Sequence, residues 1–284
     1  MNGFINLYKP SGITSAYALN IIKKKFRGVK LGHMGTLDPL ACGILPIAFG
    51  KSTRLFDFLL EKEKIYNAVF DFSYETDTLD VTGTITKSGG KIPTKEEILN
   101  VLPKLIGEVD QIPPSYSAKN VNGKRSYELA RKGISVELPS KKVVIHNIEL
   151  IKEVKKGSFL FKITCGGGTY TRSICRDLGY ELNTFATMTA LERTKSGMFS
   201  TENAFTLEEI TENFDANKML IKPDAVLSLD KIILNDKDTQ DLLNGRPFTA
   251  NYANGNYLVY GNNEFIGVGI VVDSELKIKA YIKD

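Results

Sequence analysis

Gly32-His33-Met34-Gly35-Thr36-Leu37-Asp38-Pro39-Leu40-Ala41-Cys42-Gly43-Ile44-Leu45-Pro46 is the densest stretch of this 284-residue chain. Its glycines allow backbone angles closed to other residues, and Pro39 biases Asp38 toward an extended conformation. The pattern predicts a defined loop that presents one carboxylate rigidly. Asp and Gly also dominate ordinary turns, so the local pattern fits both an aspartate closing a turn and one held out for chemistry.

Upstream, Phe4-Ile5-Asn6-Leu7-Tyr8 reads as a strand that breaks at Lys9-Pro10-Ser11-Gly12. Ser15 then stands where it can cap a helix whose apolar stripe includes Ala18, Leu19 and Ile22. Downstream, Tyr66, Ala68, Phe70 and Phe72 alternate with Ile65, Asn67, Val69 and Asp71, the period of a half-buried strand. Thr94 to Glu97 and Thr206 to Glu209 have the spacing of capping boxes. Asn122-Gly123 signals a hairpin turn, and Gly133 a helix end after residues 127–132. Further strands are expected at 143–150 and 158–165. After them, Gly166-Gly167-Gly168 permits a close backbone approach before a helix over 171–182. Because strands come in runs, the fold class is α+β, with a mixed, largely antiparallel sheet. Between 211 and 225 the chain turns polar, which suggests a boundary between a unit over 1–222 and a small β-rich unit over 223–284.

Composition excludes several classes. With 42% hydrophobic and 25% charged residues the chain has the balance of a soluble globular protein. The net charge of +4 permits polyphosphate binding without demanding it. Cys42, Cys165 and Cys175 form no CxxC pair and only two histidines, His33 and His146, are present, so metal-ligand spacing is missing and no metal or cofactor is expected. No signal peptide or membrane span is legible, which points to the cytoplasm. Gly50-Lys51-Ser52-Thr53 ends like a phosphate-binding loop, but the required glycine five positions earlier is Leu45.

The 32–46 stretch resembles the GHxGTLDPxAxGxLP signature of the TruB and dyskerin family of pseudouridine synthases. Other blocks follow in the family's order: Lys9-Pro10-Ser11-Gly12, Lys64-Ile65-Tyr66, Thr76-Asp77-Thr78 with Asp80 and Gly83, and Pro113 to Lys119. Gly123 to Arg131 and Gly168-Thr169-Tyr170-Thr171-Arg172-Ser173 with Asp177-Leu178-Gly179 continue the match, and Leu191 to Phe199 closes it. The C-terminal segment from about 226 has a weaker similarity to the PUA-like RNA-binding domain. Three positions depart from the common pattern: Met34, Phe72-Ser73 where Leu-Gly is common, and Glu192 where arginine is frequent.

The resemblance implies a tRNA pseudouridine synthase, an isomerase that flips uridine-55 of the T loop out of its stack and converts it without a guide RNA. It assigns Asp38 as covalent nucleophile, toward either the sugar carbon or the ring. Arg172 would pair with Asp38 and lower its pKa, and Tyr66 would stack on the uracil and is the candidate base. His33 would fill the space left by the flipped nucleotide, Tyr170 and Leu191 would wall the pocket, and Lys9 belongs with the substrate-binding residues. The partner is the tRNA T arm and the enzyme is expected to be a monomer. Lys23-Lys24-Lys25, Arg27, Lys119, Lys124-Arg125, Arg131-Lys132 and Lys141-Lys142 supply candidate phosphate contacts. Two other readings remain: a guide-dependent enzyme of the dyskerin branch, whose members carry extensions this compact chain lacks, and a non-catalytic RNA binder of the same fold.

Overall fold

Alternation decides the central strand. From Lys64 to Phe72 the residues Tyr66, Ala68, Phe70 and Phe72 are buried while their neighbours are half-buried, because successive strand side chains point to opposite faces. The computed structural model describes the chain except for residues 61, 118–119, 122–123, 126–137, 247, 250 and 284. The large sheet and its two flanking hairpins use β1 (Gly3–Lys9), β2 (Leu31–His33), β3 (Cys42–Phe49), β4 (Lys64–Phe72), β5 (Tyr74–Thr76), β6 (Ile85–Ser88) and β7 (Gly107–Gln111). They continue with β8 (Asn120–Val121), β9 (Lys124–Arg125), β10 (Lys141–Lys155), β11 (Ser158–Cys165), β12 (Ala186–Ser196) and β13 (Phe199–Ser200).

The main sheet runs β1-β3-β12-β4-β11-β10-β7, with β2 beside β3 and β13 beside β12. Only the β3–β12 pair is parallel. That is the mixed, largely antiparallel sheet expected from the sequence. Its position matters for function: β3, β12 and β4 lie side by side, so the loop before β3 is next to residues of β12 and β4. The Ser15–Lys25 helix and the Thr171–Glu181 helix pack on this sheet, burying Ala18, Leu19, Ile22, Ile174 and Leu178 with Phe70 and Phe161 in one core.

One local expectation needs correction. Thr14, not Ser15, caps the first helix, accepting from the Tyr17 amide at 3.0 Å. Ser15 is committed elsewhere, as described below. Around the polar 211–225 segment short helices form at Leu207–Glu212 and Ala216–Met219, and Ile221 exchanges backbone hydrogen bonds of 2.9 and 2.8 Å with Phe4. Both capping boxes form as read. The Asn122-Gly123 turn and Gly133 lie outside the described residues, although the flanking β8 and β9 do pair.

The C-terminal unit is a five-stranded sheet, β14 (Lys231–Leu234), β16 (Gly255–Gly261), β17 (Glu264–Val272), β18 (Glu275–Tyr281) and β15 (Phe248–Thr249) in that spatial order, with a helix at Asp236–Leu243. A β-rich C-terminal unit was expected from the sequence; the Asp236–Leu243 helix was not. The unit is joined to the large sheet by a shared apolar cluster in which Phe4, Met34, Ile44 and Leu55 meet Val226, Leu258, Val268 and Ile282.

Candidate active site

The 34–41 loop is held at nearly every turn. Met34 donates its amide to Pro46 at 2.8 Å, Gly12 donates to Pro39 at 2.8 Å and Ser11 Oγ donates to Leu40 at 2.6 Å. Ser15 Oγ takes both sides of Leu37, accepting from its amide at 2.9 Å and donating to its carbonyl at 3.0 Å. Gly43 ends the loop at φ +102, where a Cβ would lie 2.3 Å from the Arg193 carbonyl. A carboxylate on such a loop has few other positions to adopt.

Asp38 faces Arg172, the second residue of the Thr171–Glu181 helix. The guanidinium Nε and Nη2 reach the two Asp38 oxygens at 2.9 and 3.0 Å. Nη1 donates to Thr78 O at 3.0 Å, Nη2 also donates to Tyr116 O at 3.0 Å, and Asp80 stands 3.7 Å from Nη1. This bidentate geometry fixes orientation as well as charge. Asp80 is in turn held by the Thr78 hydroxyl and the Thr82 amide, each at 2.9 Å. The sequence carried Asp80 inside a matched block without showing that it would brace Arg172.

Arg172 acts on Asp38 in the expected direction but does not set the net shift. Arg172 does pull the carboxyl down, but burial is the larger influence and pushes it above the usual aspartate value, with Asp80 adding to the rise.

Tyr66 is buried on β4, directly opposite Arg193 of β12. Burial raises its phenol, opposed by the Arg193 charge. Tyr170 caps the Thr171–Glu181 helix, and its backbone is clasped by the Gln111 side chain at 2.8 and 3.1 Å. Leu191 lies buried in the main core, opposite Ala68. His33 ends β2 with Nδ1 buried and no hydrogen-bond partner among the described residues; burial, then Arg193 and Lys23, lower its pKa. Lys9 is fully buried beneath the 10–13 turn, where Nζ donates to Pro10 O at 2.8 Å and Ile13 O at 2.7 Å, and burial lowers it to about 8. Glu192 accepts from Tyr8 at 2.9 Å and Asn67 at 3.3 Å.

Among the described residues, no group of three or more His, Cys, Asp or Glu is arranged to hold a metal, and no helix is long and apolar enough to cross a membrane. Of the basic residues noted in the sequence, Lys119, Arg131 and Lys132 lie outside the described residues.

Residues 23–171 match the family model described as TruB family pseudouridylate synthase (N terminal domain). The chain belongs to the TruB family. Residues 172–235 match the tRNA pseudouridylate synthase B C-terminal domain. TruB-family relatives include the tRNA pseudouridine synthase B of Clostridium perfringens, 40% identical over 95% of both chains. That of Clostridium tetani is 42% identical over 98% of both. The fold is similar to that of an H/ACA ribonucleoprotein chain bound to a substrate RNA containing 2'-deoxyuridine, with a TM-score of 0.74 at 22% identity over 99% of this chain and 85% of that one. A chain of a Cbf5-Nop10-Gar1 complex is similar at 0.73 and 24%, covering 99% and 84%.

Proposed function

We propose that this chain isomerises uridine-55 in the T loop of tRNA to pseudouridine, acting alone and without a guide RNA. The observation that carries the reading is the bidentate Asp38–Arg172 pair on a pinned loop, in a chain whose relatives over nearly its whole length are named tRNA pseudouridine synthase B.

In this reading the uridine leaves its stack, at a cost of a few kcal/mol repaid by pocket contacts. Ionised Asp38 adds as nucleophile to the sugar carbon or the ring while Arg172 holds it in line, and the bond it forms breaks again before the product leaves, returning the carboxylate. The glycosidic C–N bond breaks, the uracil turns over, and the sugar carbon bonds to C5. C5 then loses a proton, with Tyr66 as the base, and N1 gains one, so substrate and product have the same formula. Tyr170 and Leu191 wall the uracil, and neutral His33 fills the vacated stack. Lys9 supports the site by holding the 10–13 turn. Residues 1–222 form the catalytic unit and 223–284 a PUA-like unit that contributes to RNA binding. The enzyme works as a monomer in the cytoplasm.

The test incubates purified protein with an unmodified tRNA transcript, without guide RNA, and maps pseudouridine by carbodiimide primer extension beside Asp38→Asn. A single T-loop stop, lost in the variant while tRNA binding persists, is expected. No stop with the native chain, despite intact tRNA binding, overturns the reading in favour of a guide-dependent enzyme or a non-catalytic binder.

A further inference from the structure

Arg193 is among the largest side chains removed from solvent, 1% exposed. Its guanidinium runs beneath the 34–41 loop, where Nε donates to Ile44 O at 2.7 Å, Nη2 to Gly35 O at 3.2 Å and Nη1 to Thr36 O at 3.5 Å. The nearby carboxylates Asp38 and Asp80 are spent on Arg172, and among the described residues none pairs with Arg193. Burying a cation without a counter-ion is costly. Holding three carbonyls does not require a full charge, since a neutral donor could do the same.

The charge has a direction. Arg193 stands opposite Tyr66 across β12 and β4 and beside Gly43 across β12 and β3. Residues directly opposed on an antiparallel pair share a face of the sheet, and the Arg193 charge is the one that acts to lower the phenol. The other ionisable groups facing Tyr66 are Cys165 on β11 and Asp38 on the loop, and both oppose a negative charge there. Arg193 is therefore the group that favours a phenolate.

We propose that Arg193 is a positioning residue that couples the Asp38 loop to Tyr66, fixing the Gly35-Thr36 carbonyls on one side and supplying the counter-charge for a Tyr66 phenolate on the other. This rests on the reading of Tyr66 as base. In that step the phenolate oxygen takes the proton from C5, the C–H electron pair closes the C5–C6 double bond as the N1–C6 π pair moves onto N1, N1 takes up a proton, and Arg193 keeps its own proton throughout.

The experiment measures single-turnover release of tritium from tRNA labelled at uridine C5, across pH, with tRNA affinity followed by filter binding. Three enzymes are compared with the native chain: Arg193→Gln, Arg193→Lys, and the chain with 3-fluorotyrosine in place of Tyr66. Arg193→Gln is expected to lose about 100-fold or more, the scale of general-base catalysis, with its rise in rate displaced to higher pH and tRNA affinity within about threefold. Arg193→Lys keeps the charge and recovers the native pH profile in part. The more acidic fluorotyrosine moves the rise to lower pH. If fluorotyrosine leaves the profile unmoved, the base reading fails and the inference with it. If fluorotyrosine shifts the profile but Arg193→Lys and every folded Arg193→Gln sample keep the native shape, the Arg193 inference alone is overturned. Should Arg193→Gln not fold, the chain with neutral citrulline in place of Arg193 is measured instead: a rise displaced to higher pH supports the role of the charge, and a native profile overturns it.

Discussion

Ser15 Oγ holds both polar groups of the Leu37 backbone, at 2.9 Å from the amide and 3.0 Å from the carbonyl, one residue before Asp38. Both partners are buried, so removing the hydroxyl leaves a donor and an acceptor without protein partners, at about 1–3 kcal/mol. Ser15→Ala is expected to lower the unfolding free energy read from urea titration by that amount and to slow single-turnover pseudouridine formation, while tRNA affinity stays within about threefold. Full activity at native stability would show that the clamp is dispensable.

Arg172→Lys preserves a positive charge but not the fork that meets both Asp38 oxygens at 2.9 and 3.0 Å. A lysine ammonium is a point charge that cannot reproduce bidentate geometry. The expected outcome is a fall in kcat of about 100-fold or more, with a smaller change in KM. Turnover near native would mean that charge alone suffices.

The acid side of the pH profile should lie higher than for an ordinary aspartate. Burial raises the Asp38 carboxyl above 3.8, against the pull of Arg172, and Asp80 adds to the rise. In the proposed mechanism the ionised form is the nucleophile, so the rate is expected to fall as pH drops through the raised value. Asp80→Asn removes one raising charge and is expected to shift this limb to lower pH, read from single-turnover rates between about pH 4 and 8. The same sign governs stability. The native carboxyl binds its proton more tightly than the unfolded one, so the penalty for its charge builds as pH rises from 3.8 to the raised value and is constant above. Asp80→Asn should reduce that penalty, while a limb that stays in place would separate Asp80 from Asp38.

Ser73 occupies φ +114, a region that favours glycine. It joins β4 to β5 and is locked by its amide to Phe185 at 2.9 Å and its carbonyl to Gly90 at 3.1 Å. The common Leu-Gly of the family thus meets a real backbone requirement, which this chain satisfies with strain of about 1–3 kcal/mol. Ser73→Gly should stabilise by about 1 kcal/mol after the entropic cost of glycine, or roughly 2–4 °C in Tm, with pseudouridine formation unchanged. A lower melting point would show that the serine side chain contributes more than its backbone costs.

What the sequence made legible was whatever depends on local period or local chemistry. Tyr66 could be placed on a buried face because alternation over nine residues leaves few other readings. The capping boxes at Thr94 and Thr206 are self-contained within four residues and form as read. Ser15 was given the wrong task because Thr14 and Ser15 are equally good caps in isolation, and only the approach of Leu37, 22 residues away, decides between them. Arg193 left no local signal, since one arginine in a polar strand looks solvated until β3 and β4 close over it. The Asp236–Leu243 helix escaped because its acidic first turn, capped by Asn235, resembles a loop in composition.

The contact between Phe4 and Ile221, together with the hydrogen bond of 2.8 Å from Asn2 to Ile282, has a consequence for biosynthesis. The N-terminal segment with β1 leaves the ribosome long before its partners Ile221 and Ile282 are translated. Until Ile221 emerges, the outer edge of β1 lacks that partner, and until the final strands emerge Phe4 has no C-terminal sheet to cover it. The Asp38 loop, already complete by residue 46, therefore waits for the later segments before the surface behind it is closed, and a nascent chain stalled before 221 presents an unpaired strand edge to chaperones or to its neighbours.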